Sequence, residues 1–210
     1  MATFYLVRHG TTDWVDKHIL HGITDVPLNE DGLRQARETA RAMKGSGAKN
    51  LYTSPLSRCL QTAEIISDAL GLEPVQMDGL KELNFGWLEG RSFRDHSSQD
   101  FGPVIQFLDH YWHHFIRAIS GEPIRKLRRR VMREWEMILE ENEEGSSIIV
   151  GHSAVFNNIL IHYFGKNFPD GKTYYVMRPG SINEIEITPD GRARLVRMDD
   201  VSHLSGQKVI

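Results

Sequence analysis

The sequence predicts an α/β fold: a three-layer sandwich with a mostly parallel central sheet and a helical cap insertion. Three observations lead there. Short β-rich apolar runs (Thr3 to Val7, Lys49 to Thr53, Pro74 to Met77 and Ser147 to Val150) alternate with stretches of helical period. The chain then changes to consecutive strands: Tyr174 to Met177, Ile182 to Ile187 and Arg194 to Arg197. Between the third and fourth of the apolar runs, Arg91 to Glu144 reads as helical, broken only near Gly121-Glu122-Pro123, and this is the expected cap.

Each element has a local reason. Thr3 to Val7 is a short buried strand that runs into Arg8-His9-Gly10. A polar loop follows, from Thr12 to Pro27. Asn29 can cap the next helix, Glu30 and Asp31 suit its positive end, and Leu33, Ala36, Ala40 and Met43 mark its apolar face. After the second strand, Ser54 is read as cap and Pro55 as first residue of a helix ending at Gly71. Lys81 to Gly90 is irregular. A helix from about Ala154 to Phe164 follows the fourth strand, and Pro189-Asp190-Gly191 reads as a hairpin turn.

The chain of 210 residues suits one domain spanning 1–210, with the cap at about 91–144 inside it. Its net charge is −3, with Lys and Arg spread along it, which gives no footprint for nucleic acid or membrane. A single cysteine, Cys59, cannot form an internal disulfide, and no leader or membrane-spanning run is visible, so a cytoplasmic protein is expected.

Two strands end in a histidine-bearing turn, Val7-Arg8-His9-Gly10 and Val150-Gly151-His152-Ser153, and a third ends at Thr53 and leads into Arg58. If these strands are parallel neighbours, two arginines and two histidines converge on one sheet edge. Basic groups crowded together repel unless an anion lies between them. A phosphoryl group matches forked donors and imidazoles.

Five stretches, in this order, resemble the histidine phosphatase superfamily, the phosphoglycerate-mutase-like fold. They are Leu6-Val7-Arg8-His9-Gly10-Thr11-Thr12, Pro27 to Ala36, Ser54 to Ala63, Glu82 to Gly90 and Val150-Gly151-His152-Ser153. The resemblance implies that His9 is the nucleophile and forms a phosphohistidine. Arg8, Arg58 and His152 would hold the phosphoryl oxygens, and Glu82 would be the general acid. The chemistry agrees: fixed cations can stabilise the transition state without a metal, and no cofactor is expected. Glu82 lies beside Leu80, Leu83, Phe85 and Trp87, an apolar setting that raises a carboxyl pKa; Glu89 is the rival acid. The chain departs from the family pattern at Val15, where asparagine is frequent, at His21, where glutamine is frequent, at Ser153-Ala154 and at Pro123. His21 and Ser153 are candidate phosphate contacts.

The expected function is a metal-independent phosphomonoester hydrolase acting on a small phosphorylated metabolite. The cap aromatics Phe107, Tyr111, Trp112 and Phe115 are expected to select the leaving group. The expected partners are a small-molecule phosphomonoester and at most a second copy of the chain as a homodimer, with neither nucleic acid nor membrane.

Other readings compete. Mutase-type phosphoryl transfer is the first alternative; the short chain favours hydrolysis. Gly151-His152-Ser153-Ala154-Val155 nearly matches the nucleophile elbow of serine hydrolases, with His203 as base and Asp199 or Asp200 as orienter, but leaves Arg8, His9 and Arg58 idle. A phosphate-binding scaffold would require the loss of a catalytic group. Gly171-Lys172-Thr173 lacks the first glycine and preceding strand of a phosphate loop. His110 and His114 lack an obvious third metal ligand. Arg125 to Arg133 reads as a solvated helix, with Arg130 and Glu134 an i,i+4 pair.

Overall fold

A computed structural model describes residues 1–92, 121–165, 175 and 177–204. The cap aromatics, His110, His114 and the Gly171-Lys172-Thr173 stretch lie outside these residues.

Among the described residues, six strands form one sheet in the order β3-β2-β4-β1-β5-β6. They are β1 (Ala2–Arg8), β2 (Ala48–Thr53), β3 (Pro74–Gln76), β4 (Gly145–Gly151), β5 (Ile182–Ile187) and β6 (Ala193–Asp200). β1, β4, β2 and β3 run parallel; β5 is antiparallel to β1, and β6 to β5. The expected α/β architecture is therefore present. Tyr175 and Met177, expected in a strand, lie in none. The Pro189-Asp190-Gly191 turn joins β5 to β6, closed by Thr188 N–H to the Arg192 carbonyl at 2.9 Å.

The α-helices among the described residues are α1 (Asp13–Asp16), α2 (Glu30–Ala42), α3 (Ser57–Leu70), α4 (Ile124–Glu141) and α5 (Ser153–Phe164), and the last four cover the sheet. Alternation along β1 assigns the two faces. Phe4 and Leu6 join α4 and α5 in one core; Tyr5 and Val7 join α2 and α3 in the other. Phe4 meets Trp135 of α4 edge-on, with ring centroids 4.8 Å apart. Leu127, Val131, Trp135 and Ile138 place the buried stripe of α4 on the main core, so this part of the 91–144 stretch is one of the sandwich's own layers.

Asn29 caps α2 as the sequence suggested, accepting the Gly32 N–H at 2.9 Å. The start of α3 differs. It begins at Ser57, and neither Ser54 nor Pro55 forms its first turn. Asp25, from the preceding loop, accepts the Ser57 N–H and hydroxyl at 2.7 Å each. A carboxylate near a helix start complements its dipole, so a distant residue does the work assigned to Ser54.

The turn after β1 packs tightly on α2. A Cβ at Gly32 would overlap the Thr11 carbonyl oxygen, and one at Gly10 would press on the Gly32 carbonyl. In an exposed helix, Gly→Ala stabilises by about 1 kcal/mol. Here the sign should reverse: Gly32→Ala is expected to lower the urea midpoint, because both partners in the clash are backbone. A raised midpoint would show that the turn yields.

Candidate active site

β2, β4 and β1 are parallel neighbours, so their carboxyl ends share one edge. The register sets Arg8 beside Gly151 and Thr53 beside Val150. The pairing continues into the turns: His9 N–H donates to the Gly151 carbonyl and Ser54 N–H to the Val150 carbonyl, each at 3.1 Å. The four basic residues read from the strand ends are thus gathered at one edge, the place where ligands collect in open α/β sheets.

His9 is buried, 4% exposed. Its Nδ1 lies 2.7 Å from the Gly10 carbonyl oxygen. A carbonyl only accepts, so Nδ1 carries the hydrogen and Nε2 of the neutral ring keeps its lone pair. Burial holds the imidazole well below the ordinary histidine range; Arg58 and Arg8 add to this, against the Gly10 hydrogen bond. The ring is therefore a neutral base or nucleophile at pH 7. His152 meets it edge-on, ring centroids 5.1 Å apart. His152 is fully buried, with Nε2 2.9 Å from the Ser54 hydroxyl and 3.4 Å from Cys59 Sγ. Burial, then Arg58 and His9, keep its pKa well below the usual value. Burial also pushes the Cys59 thiol up to about 12, so the sulfur beside the site stays protonated.

Arg58 is fully buried on α3. Its Nη1 and Nη2 donate to the carbonyls of Thr24 and Gly22 at 3.1 and 2.8 Å. Arg8 donates through Nη1 to the Met177 carbonyl. The Nε–H groups of both arginines are buried and have no hydrogen-bond partner among the described residues. Each is a charged donor that costs free energy until an acceptor meets it.

Glu82 lies in the loop after β3 and is half-buried. Its Oε1 accepts the Leu83 N–H at 2.8 Å. Burial raises the carboxyl above its ordinary range, opposed by that N–H and by Arg58 and Arg8. The group can hold a proton where an exposed glutamate would not. Glu89 has a different setting. Its oxygens accept the N–H groups of Ile23, Phe85 and Thr24 at 3.0, 2.9 and 2.8 Å, and the Thr24 hydroxyl. Three of these donors tie it to the 22–24 loop, and the carbonyls of that loop in turn seat Arg58. Gly22, at φ +57°, lies against the Glu89 carboxylate, with no room for a Cβ.

His21 also faces the site's charges: burial, Arg58 and Arg8 lower its pKa to about 3. Its Nε2 is 2.6 Å from the hydroxyl of Thr12, which caps α1 by accepting the Val15 N–H at 3.2 Å. Ser153 opens α5, and its carbonyl accepts from Asn157 Nδ2 at 2.9 Å. The serine-hydrolase grouping is not assembled. His203 Nε2 lies against the Thr39 hydroxyl and the Gly180 carbonyl, at 3.0 and 3.1 Å, and Asp199 accepts from Arg178 Nε at 2.7 Å. Among the described residues, no cluster of three or more His, Cys, Asp or Glu side chains is placed to hold a metal ion.

Several supporting residues escaped the sequence reading. Gln35 accepts the Thr11 N–H at 2.8 Å, and Thr62 accepts the Gly10 N–H at 3.3 Å while donating to the Arg58 carbonyl at 2.8 Å. Both polar side chains are buried on helix faces that also carry Ala36 and Ala40, or Ala63 and Ile66, and a polar residue at such a position was the available signal.

Comparisons with known proteins bear on the chain as a whole. A family model described as the histidine phosphatase superfamily (branch 1) matches residues 4–201. The relative named "Uncharacterized phosphatase PhoE", from Bacillus subtilis, is 31% identical over 206 residues, covering 98% of each chain. "Probable phosphoglycerate mutase GpmB" from Yersinia pestis is 33% identical over 165 residues, covering 79% of this chain and 76% of its own. The solved structure of Bacillus stearothermophilus YhfR superposes with a TM-score of 0.83 at 26% identity, covering 98% of this chain and all of that one.

The depressed histidines set a pH dependence. A histidine held below its unfolded pKa contributes stability that is complete above about pH 6.5 and is lost as the pH falls toward the folded value. For His21 that window runs from the unfolded value down to about 3. His21→Gln should flatten the fall of unfolding free energy between pH 6 and 4.5 by up to about 1.4 kcal/mol per pH unit. Urea titrations at several pH values measure it; an unchanged slope would mean that His21 titrates normally in the fold.

Proposed function

The chain belongs to the histidine phosphatase superfamily, and on that premise we propose that it hydrolyses a small phosphomonoester through a phosphohistidine on His9, without a metal. One observation carries the reading. Two buried guanidinium Nε–H groups, those of Arg8 and Arg58, lack a partner among the described residues beside a neutral imidazole whose Nε2 holds a lone pair. A phosphoryl group supplies the missing acceptors and the electrophile together.

His9 Nε2 attacks phosphorus in line as the bond to the leaving oxygen breaks. Arg8, Arg58 and His152 bind the equatorial oxygens, where charge spreads in the transition state. The arginines supply positive charge that a metal ion supplies in other phosphatases. Glu82 gives its proton to the leaving alkoxide. The resulting carboxylate then takes a proton from water; the hydroxide attacks phosphorus, the P–N bond breaks, and inorganic phosphate leaves with His9 neutral again. His21 and Ser153 border the oxygens as further polar contacts.

The hydrolytic outcome draws support from coverage: the phosphatase-named relative spans 98% of each chain, the mutase-named one 76% of its own. Phosphoglycerate isomerisation without phosphate release would favour the mutase alternative.

Glu82→Gln tests the acid. An alkyl phosphate needs the proton and a nitrophenyl phosphate hardly does, so kcat/KM should fall about 10²–10⁴-fold on the first and far less on the second. Equal losses would place the acid elsewhere. A chelator should leave wild-type turnover unchanged; loss that a divalent ion restores would end the metal-free mechanism.

A further inference from the structure

The loop that carries Glu82 has no strand partner of its own and hangs on α4. Arg130 makes most of the attachment. Its Nη1 donates to the carbonyls of Gly79 and Lys81 at 2.7 and 2.5 Å, and its Nη2 donates to the carbonyl of Glu82 itself at 2.8 Å. The guanidinium is in turn locked by Glu122, which accepts from Nε at 2.8 Å and Nη2 at 2.7 Å. Two further bonds extend the clamp: Glu134 accepts the Gly79 N–H at 3.1 Å, and the Asn84 carbonyl accepts the Glu122 N–H at 3.2 Å. The local Arg130–Glu134 pair expected from spacing is thus replaced by Arg130–Glu122, and Glu134 serves the loop instead.

We propose that the Arg130–Glu122 pair is a positioning device for the acid: it holds the backbone at residue 82 so that the carboxyl reaches the leaving oxygen. This rests on the reading of Glu82 as general acid. The pair acts through geometry. Arg130 meets the backbone carbonyl of Glu82, and the shift of the carboxyl follows chiefly from burial, opposed by the Leu83 N–H, Arg58 and Arg8. Only a planar fork can meet three carbonyls and a carboxylate at once; a lysine keeps the charge but presents one ammonium point. The Arg130 and Glu122 side chains are 22% and 7% exposed, so the pair is largely shielded from water; the loop is fixed at residues 79, 81 and 82 from α4 and at residue 84 from Glu122, just before that helix. A displacement of about 1 Å in a reacting group costs as much as about 10²-fold in rate.

The test compares Arg130→Lys, Glu122→Gln and Glu82→Gln with wild type, on an alkyl phosphate and on 4-nitrophenyl phosphate. The quantity read is the ratio of the two kcat/KM values, which does not depend on the fraction of enzyme that is folded. Arg130→Lys and Glu122→Gln should each lower the alkyl-to-nitrophenyl ratio, Arg130→Lys by about tenfold, within the range that misplacement produces. Glu122→Gln is nearly isosteric and carries the test if Arg130→Lys does not fold. If Glu82→Gln lowers the ratio while both clamp variants leave it at the wild-type value, the pair is merely structural and the inference is overturned. If Glu82→Gln itself leaves the ratio unchanged, the acid assignment fails and the clamp's role falls with it, a result distinct from the first.

Discussion

Burying positive charge with no ion pair to Arg8 or Arg58 among the described residues is the constraint around which this molecule is arranged. Arg58 is wholly inside, and its guanidinium meets carbonyl oxygens, not a carboxylate. Dipoles hold the group in place without neutralising it, so its charge remains available to a ligand. Burial depresses the pKa of His9, His21 and His152, and the same charge adds to it, whereas at Glu82 it opposes the rise that burial causes. On the proposed function, an entering phosphoryl group would meet the Nε–H groups of both arginines that lack a partner among the described residues, which would couple phosphate binding to the stability of the site.

That arrangement needs a scaffold, and acidic side chains provide it at one remove. Glu89 holds the 22–24 loop, which holds Arg58. Asp25 anchors the start of the helix that carries Arg58. Glu122 locks the guanidinium that fixes the Glu82 loop. In each case the carboxylate sits one bond away from the functional group. Direct pairing would cancel the charge that the chemistry requires.

The sequence made part of this legible. Strand-end turns are local, so Arg8-His9-Gly10 and Gly151-His152 could be placed from period and turn chemistry, and parallel pairing brought them together. Glu82 was found by resemblance and apolar neighbours, because nothing in a loop's spacing reports its burial. Ser54 was misread as a cap and Arg130 as a partner of Glu134, since spacing measures proximity along one element only. The actual partners, Asp25 with Ser57 and Arg130 with Glu122 and the 79–82 carbonyls, cross between loops and helices. Long-range bonds of that kind leave no periodic trace. Within the stretch read as a cap, Ile124–Glu141 is helical, and only its packing shows that its apolar stripe belongs to the main core.

The central claim is that phosphorus passes through a bond to His9. The most direct measurement is to quench the enzyme in mid-turnover with a phosphorus-labelled phosphomonoester and map the label to a residue. The account predicts label on His9, stable in alkali and released by acid, as a P–N bond requires, and none in His9→Ala. Label on Ser153 or any other residue, or full turnover by His9→Ala, would contradict it.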